Sequence, residues 1–202
     1  MPKQLALPLF VALLALAAPT MVAAQRPLSA AGRSVVYAPH GIVATSQPLA
    51  SSAGLAVLQH GGNAIDAAVT AAAVLSVTEP MMTGIGGDMF ATVWVAKEHR
   101  LVAINASGRA GALMTREALV HRGRSEMPGR GVETVTVPGA LAGWDALLRK
   151  YGTITLAQAL APAIRYAEQG YPVTPIISRD WKDAADVLAS DSSATAPSLP
   201  GG

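Results

Sequence analysis

Cysteine is absent from all 202 residues, so no disulfide holds this chain and its stability must come from packing or from partners. Aromatics make up only 4% and charged residues 14%, against 51% hydrophobic residues, which excludes disorder over most of the length. With so few rings, and with Ala, Gly and Val abundant, helices and strands are expected to pack closely through small side chains. The formal charge of +2 is too small to argue for nucleic acid as a partner. Arg122, Arg124 and Arg130 lie among Gly and Pro and read as a solvated loop, not a binding stripe. No long apolar run is present either: Leu5 to Ala18, broken by Pro8, falls short of the ~20 residues that span a bilayer.

That short run has another reading. Lys3 supplies a positive start and Val22-Ala23-Ala24 offers small residues before Gln25, the pattern of a cleaved secretory signal over residues 1–24. The expectation is export to a bacterial periplasm or beyond, with no stable membrane insertion after cleavage. Residues 25–202 then form one domain or part of a larger one, with no internal repeat and no interdomain linker.

From Gly41 the elements follow in order. Gly41 to Thr45 reads as a short buried strand, and Pro48 as the first residue of a helix closed near His60 by Gly61. Asn63 is an N-cap for the next helix, and Asp66 sits in its first turn, where a carboxylate answers the free amides. Ala67 to Val77 is so uniformly apolar that burial on nearly all sides is expected. Phe90 to Ala96 and Leu101 to Asn105, joined by Lys97 to Arg100, read as a hairpin. Pro138 to Tyr151 and Thr155 to Gln169 read as helices ending at glycines, the second with a Thr155/Gln158 capping box, an apolar stripe of Leu156, Leu160, Ile164 and Ala167, and a kink at Pro162. A further helix spans Arg179 to Ala189, and the remainder reads as loop.

The chemistry-bearing candidates are few. In E-P-M-M-T-G-I-G-G-D-M-F, residues 79–90, no Gly-Lys-Ser/Thr follows as a phosphate loop requires, and Met89 stands where the dinucleotide fingerprint needs glycine. No cofactor is therefore expected, and Gly84, Gly86 and Gly87 are read as backbone that turns with positive φ and passes close to a packed helix. There is no G-x-S-x-G or S-x-x-K. His40, His60, His99 and His121 lack paired spacing, so no metal is expected, and His60 reads as a partner of its helix C-terminus. Asp66, Glu79 and Asp88 could converge as acid and base, although Asp66 as a cap and Glu79 and Asp88 bonded to loop amides is the simpler reading. Arg109, in N-A-S-G-R after a strand, has small neighbours that leave its guanidinium accessible, and that planar fork suits bidentate capture of a substrate carboxylate. A surface salt bridge is the alternative.

Taken together, G-I-V-A-T-S-Q-P-L-A-S-S-A-G, H-G-G-N-A-I-D-A-A-V-T-A-A, E-P-M-M-T-G-I-G-G-D-M-F, N-A-S-G-R-A, V-T-V-P-G-A-L-A-G-W and Y-G-T-I-T-L-A-Q-A-L-A-P-A-I-R-Y-A-E-Q-G-Y-P-V resemble, in family order, the large-subunit half of the gamma-glutamyltransferases. The resemblance implies an α/β fold, part of an N-terminal-nucleophile hydrolase αββα sandwich, made as a precursor that cleaves itself into two subunits. It implies a small-subunit threonine that attacks a gamma-glutamyl amide such as glutathione, and an acyl-enzyme resolved by water or an amine. Arg109 matches the family arginine that binds the substrate α-carboxylate. Asn63, Asp66, Glu79, Gly84, Gly86, Gly87 and Asp88 belong to the structural motifs.

Two departures from the family pattern stand out. Asp88 occupies a run that is usually all glycine, and N-A-S-G-R-A replaces the commoner D-x-R-E-x-A-P around the arginine. Both variants are similar to branches that include oxamate amidohydrolases and cephalosporin acylases. No threonine in this chain matches the nucleophile, so the expected active unit includes a small subunit, and this chain alone is expected to be inactive.

Overall fold

The computed structural model describes residues 35–198, and a proline, with no N–H to leave orphaned, opens the first helix among them. The chain divides into two units, Met1–Pro39 and His40–Gly202, and every element below lies in the second. Residues 1–24, read as a signal, lie outside the described residues. In α1 (Pro48–Gln59) the Gln47 side-chain oxygen accepts from the amides of Leu49 and Ala50. His60 closes the helix with Nδ1 2.6 Å from the Ala56 carbonyl, and Gly61 follows at φ 88°.

Asn63 and Asp66 form a reciprocal capping box at the start of α2 (Ala64–Thr78). Most of α2 is buried, including Ala67, Val69, Thr70, Ala71, Ala73 and Val74, but Ala68 is exposed and Ala72 and Leu75 are half-buried. That open stripe faces a groove of about 640 Å³ whose far wall is the segment 40–45. The expected strand there is absent. Residues 41–45 make no ladder, because the described sheet has only two strands and a strand needs a neighbour to take its N–H and C=O groups. Thr45 turns inward instead, its amide donating to the Ser51 hydroxyl at 3.1 Å and its hydroxyl to the Gln47 carbonyl at 2.7 Å.

The hairpin forms as expected, with β1 (Met89–Val95) antiparallel to β2 (Arg100–Ala106) and Met89 opposite Ala106 at its open end. A 3-10 turn at Ala96–Glu98 and His99 at φ 48° close the other end. Side chains alternate. Met89, Ala91, Val93 and Ile104 pack on the core, while Phe90 (67% exposed), Trp94 (60%) and Leu101 (64%) lie open on the outer face.

A short helix, α3 (Arg116–His121), begins at Thr115, whose hydroxyl accepts from the Ala118 amide. Nearby, Arg122 and Arg124 both pair with Glu133, at 3.4 and 2.8 Å. Next come α4 (Ala140–Tyr151) and α5 (Leu156–Gln169), the latter opened by the Thr155/Gln158 capping box. Trp144, Leu147 and Leu148 of α4 join Val69 and Val74 in one core cluster, and each such buried side chain contributes roughly 1.5–3 kcal/mol. Ala159 and Ala163 bring α5 close to α2, and α5 runs on through Pro162. The expected α5 stripe needs correction: Ile164 is 48% exposed and Ala167 is exposed, while Leu156, Ala159, Leu160, Ala163 and Tyr166 face inward. Two alanines, too small to stand out in the sequence, mark the real contact line.

The last part is more helical than expected. In place of one helix and a loop there are α6 (Pro175–Asp183), α7 (Ala185–Ala189) and α8 (Ser192–Ser198). Asp191 explains the last: its carboxylate accepts from the Ser193 amide at 2.8 Å, and that bond holds its carboxyl below the usual range. Trp181 Nε1 also donates to the Ser198 carbonyl at 2.7 Å. Among the described residues no helix is long and apolar enough to cross a membrane.

Candidate functional site

The three acidic candidates separate. Asp66 is fully buried at the start of α2, accepting from the Asn63 amide (2.8 Å), the Thr153 amide and hydroxyl (2.9 and 2.6 Å) and the Ile154 amide (3.3 Å). Burial pushes its carboxyl pKa up, but the hydrogen bonds from the Thr153 hydroxyl and from the three amides outweigh that and hold it below the ordinary value. Asn63 Nδ2 adds a bond to the Tyr151 carbonyl at 2.6 Å, so this cap also ties down the α4–α5 turn. Glu79 ends the same helix, about 20 Å away at 1.5 Å per residue, where its carboxylate accepts from the Ser46 hydroxyl at 2.6 Å. Asp88 meets Thr136. The expectation that Glu79 and Asp88 bond to loop amides is therefore corrected: both take hydroxyls, from residues 33 and 48 positions away. Among the described residues no group of three or more His, Asp or Glu is placed to hold a metal ion.

The glycine run also departs from its expected reading. Gly84, Gly86 and Gly87 are not among the positive-φ residues, and a Cβ at Gly84 or Gly86 would meet nothing within 4 Å. What the run offers is a carbonyl: Gly87 O accepts from the amides of Gly139 and Ala140 at 3.2 and 3.0 Å. Those are free donors at the start of α4, which has no side-chain cap, and this explains why the helix begins at Ala140 and not at Pro138.

The positive φ lies instead beside the arginine. Gly108 sits at φ 83°, and a Cβ there would lie 1.8 Å from the Val137 carbonyl oxygen. Around it the turn is fastened from both sides. Asn105 Oδ1 accepts from the Ser107 amide at 3.0 Å, the Val137 amide donates to the Arg109 carbonyl at 2.8 Å, and the Thr136 hydroxyl reaches the Ser107 carbonyl at 3.0 Å and Asp88 Oδ1 at 2.9 Å. Gly139 packs under the same turn, its missing Cβ leaving room for the Ala106 carbonyl that a side chain would meet at 2.3 Å. Arg109 is exposed, and its guanidinium makes no hydrogen bond or ion pair with another described residue. A cation held at a fixed backbone position with all its donors free is suited to a carboxylate ligand. Thr136, Val137 and Gly139 were not foreseen as parts of this mount. Their signal is the block V-T-V-P-G ahead of α4, which in sequence marks only a helix start.

Comparison with known proteins agrees with this organisation. A family model described as gamma-glutamyltranspeptidase matches residues 50–200. The chain is 42% identical over 150 residues to the glutathione hydrolase-like YwrD proenzyme of Bacillus subtilis (strain 168), an alignment covering 74% of this chain and 28% of that protein. It is 43% identical over 171 residues to the acylase ACY 1 proenzyme of Pseudomonas sp. (strain SE83), covering 80% of this chain and 30% of that one. Among solved structures, cephalosporin acylase from Bacillus halodurans superposes with a TM-score of 0.73 at 53% identity over 78% of this chain and 29% of its own. The chain thus spans under a third of the length of these relatives. Its architecture, helix-rich with one small sheet among the described residues, is that of the large-subunit half of an N-terminal-nucleophile hydrolase. The chain belongs to the gamma-glutamyltranspeptidase family.

Proposed function

We propose that this chain is the front part of an exported proenzyme that transfers or hydrolyses gamma-glutamyl groups of glutathione and related amides, and that Arg109 holds the substrate α-carboxylate. The observation that carries this reading is the exposed, unpartnered guanidinium of Arg109 on a fastened turn. In the proposed reaction a threonine at the start of a small subunit attacks the amide carbonyl through its hydroxyl oxygen, and its own α-amine takes the hydroxyl proton. That proton passes to the departing amine as the C–N bond breaks, leaving an ester on the threonine. Water or an amino-acid amine then breaks the ester. Arg109 contributes orientation: a paired carboxylate fixes the acyl group so that its γ-carbonyl meets the nucleophile.

The second half of such an enzyme needs a place to sit, and the outer hairpin face with Phe90, Trp94 and Leu101 supplies an apolar one. This chain by itself is proposed to be inactive. A second reading, an acylase or amidohydrolase using the same nucleophile, is favoured by the 53% identity to a cephalosporin acylase. A glutaryl group presents the same terminal carboxylate to Arg109 as a gamma-glutamyl group does. The test is to express the complete reading frame, look for self-cleavage by mass, and assay gamma-glutamyl anilide, glutaryl amides and oxamate side by side. Self-cleavage with preferred turnover of the gamma-glutamyl anilide supports the first reading. Preferred turnover of the glutaryl amide or oxamate moves the assignment to the second, and an uncleaved, inactive product rejects both.

A further inference from the structure

Asp88, after the glycine run, and Ser107, before the arginine, lie 19 positions apart in sequence, yet they meet at one hydroxyl. Met89 and Ala106 are the last register partners of the hairpin, so Asp88 and Ser107 face each other just beyond the ladder. The Thr136 hydroxyl bridges them, 2.9 Å from Asp88 Oδ1 and 3.0 Å from the Ser107 carbonyl. A hydroxyl has one proton to donate, and here it is shared across the open end of two strands. The next residue, Val137, donates its amide to the Arg109 carbonyl at 2.8 Å. Thr136 and Val137 therefore grip residues 107 and 109, with the left-handed Gly108 between them.

We propose that Asp88 and Thr136 are positioning residues for Arg109, the Thr136 hydroxyl fastening the strand end from which the arginine projects. The proposal rests on Arg109 holding the substrate carboxylate. Strand ends fray when the last pair has no further ladder bond, and a frayed end would spread the Arg109 backbone over several positions. The bridge prevents that. Asp88 acts by anchoring the hydroxyl and Thr136 by anchoring the Ser107 carbonyl, and neither touches substrate in this account.

The test uses the complete, processed protein and two anilides, one gamma-glutamyl and one 4-aminobutanoyl, the second being the first without its α-carboxylate. Thr136→Val removes the hydroxyl and keeps the shape, and it is expected to raise KM for the gamma-glutamyl anilide by about tenfold with little change in kcat. KM for the 4-aminobutanoyl anilide should stay where it is. Thr136→Ser should restore the wild-type value, and Asp88→Ala combined with Thr136→Val should do no more than Thr136→Val alone, since losing the hydroxyl already removes both hydrogen bonds of the bridge. Arg109→Ala serves as the reference. If it raises KM for the carboxylate-bearing substrate and Thr136→Val does not, the positioning proposal is wrong while the role of Arg109 stands. If Arg109→Ala leaves KM unchanged, the functional reading fails and the proposal fails with it. Equal rises for both anilides in Thr136→Val would also overturn the proposal, because the bridge would then shape the site without acting through Arg109. Should Thr136→Val not accumulate, Asp88→Ala carries the comparison: a modest rise in KM for the gamma-glutamyl anilide alone supports the proposal, and an unchanged KM, or equal rises for both anilides, overturns it.

Discussion

Asp66 and Arg109 are both charged residues fixed by tight local geometry, yet their surroundings are opposite. The Asp66 carboxylate is fully buried and accepts hydrogen bonds from three residues, two of them far away in sequence, so its charge is spent on joining the start of α2 to the α4–α5 turn. The Arg109 backbone is held too, its carbonyl accepting from the Val137 amide at 2.8 Å, but its guanidinium is exposed and unpaired among the described residues. A satisfied buried charge belongs to the fold. A free charge on a rigid turn is available to a ligand.

The strongest way to break this contrast is at the buried end. Asp66→Ala leaves the Thr153 and Ile154 donors without an acceptor and should lower stability by about 4 kcal/mol, read as denaturant or thermal unfolding of the full-length protein. The same residue gives a pH signature. Its folded pKa lies below the ordinary value, so the unfolded chain binds the proton more readily. The stabilisation is complete above the unfolded pKa of about 4 and is lost as pH falls through the lower, folded one. Asp66→Asn should flatten that acid limb, and an unchanged limb would show that another group governs it.

Of these two ends, the buried one was the more legible in sequence. Asn63 and Asp66 lie three positions apart, and Thr155 and Gln158 repeat the spacing, so a local rule suffices to find both caps. What could not be read were contacts that depend on a distant partner. Asp88 meets Thr136 across 48 residues, and Glu79 meets Ser46 across 33. The inward face of α5 is hidden for a similar reason: Ile164 is the more hydrophobic residue, but α2 approaches along Ala159 and Ala163, where small side chains allow it. Residues 41–45 have the composition of a strand and lack a ladder partner in the described sheet. The exposure of Arg109 is legible from its small neighbours, whereas its mount is not, because Thr136 and Val137 reach it only once the chain has folded back.

The arginine end can be sharpened next. Gly108→Ala combines a positive φ with a Cβ 1.8 Å from the Val137 carbonyl, and should cost about 2 kcal/mol or more in kcat/KM for carboxylate-bearing substrates as the turn moves aside. A wild-type kcat/KM in that variant would mean that the turn has no part in holding Arg109. The smallest effect is expected where a charge pair is exposed and outside both regions. Arg149 bonds Asp145 one helical turn away at 2.9 Å, with 79% of its side chain in solvent, and Arg149→Ala should change stability by less than about 0.5 kcal/mol. A larger loss would show that pairing alone, without burial, matters in this fold.

The most direct measurement takes Arg109→Ala and Asp66→Ala together in the complete protein and records both the thermal midpoint and KM for a gamma-glutamyl or glutaryl substrate. Removing Arg109 should raise KM at least tenfold with the midpoint almost unchanged, whereas removing Asp66 should lower the midpoint by several degrees and leave KM of the remaining folded enzyme near wild type. An Arg109→Ala protein that melts early and binds substrate normally would contradict the account, because the free guanidinium would then be part of the scaffold.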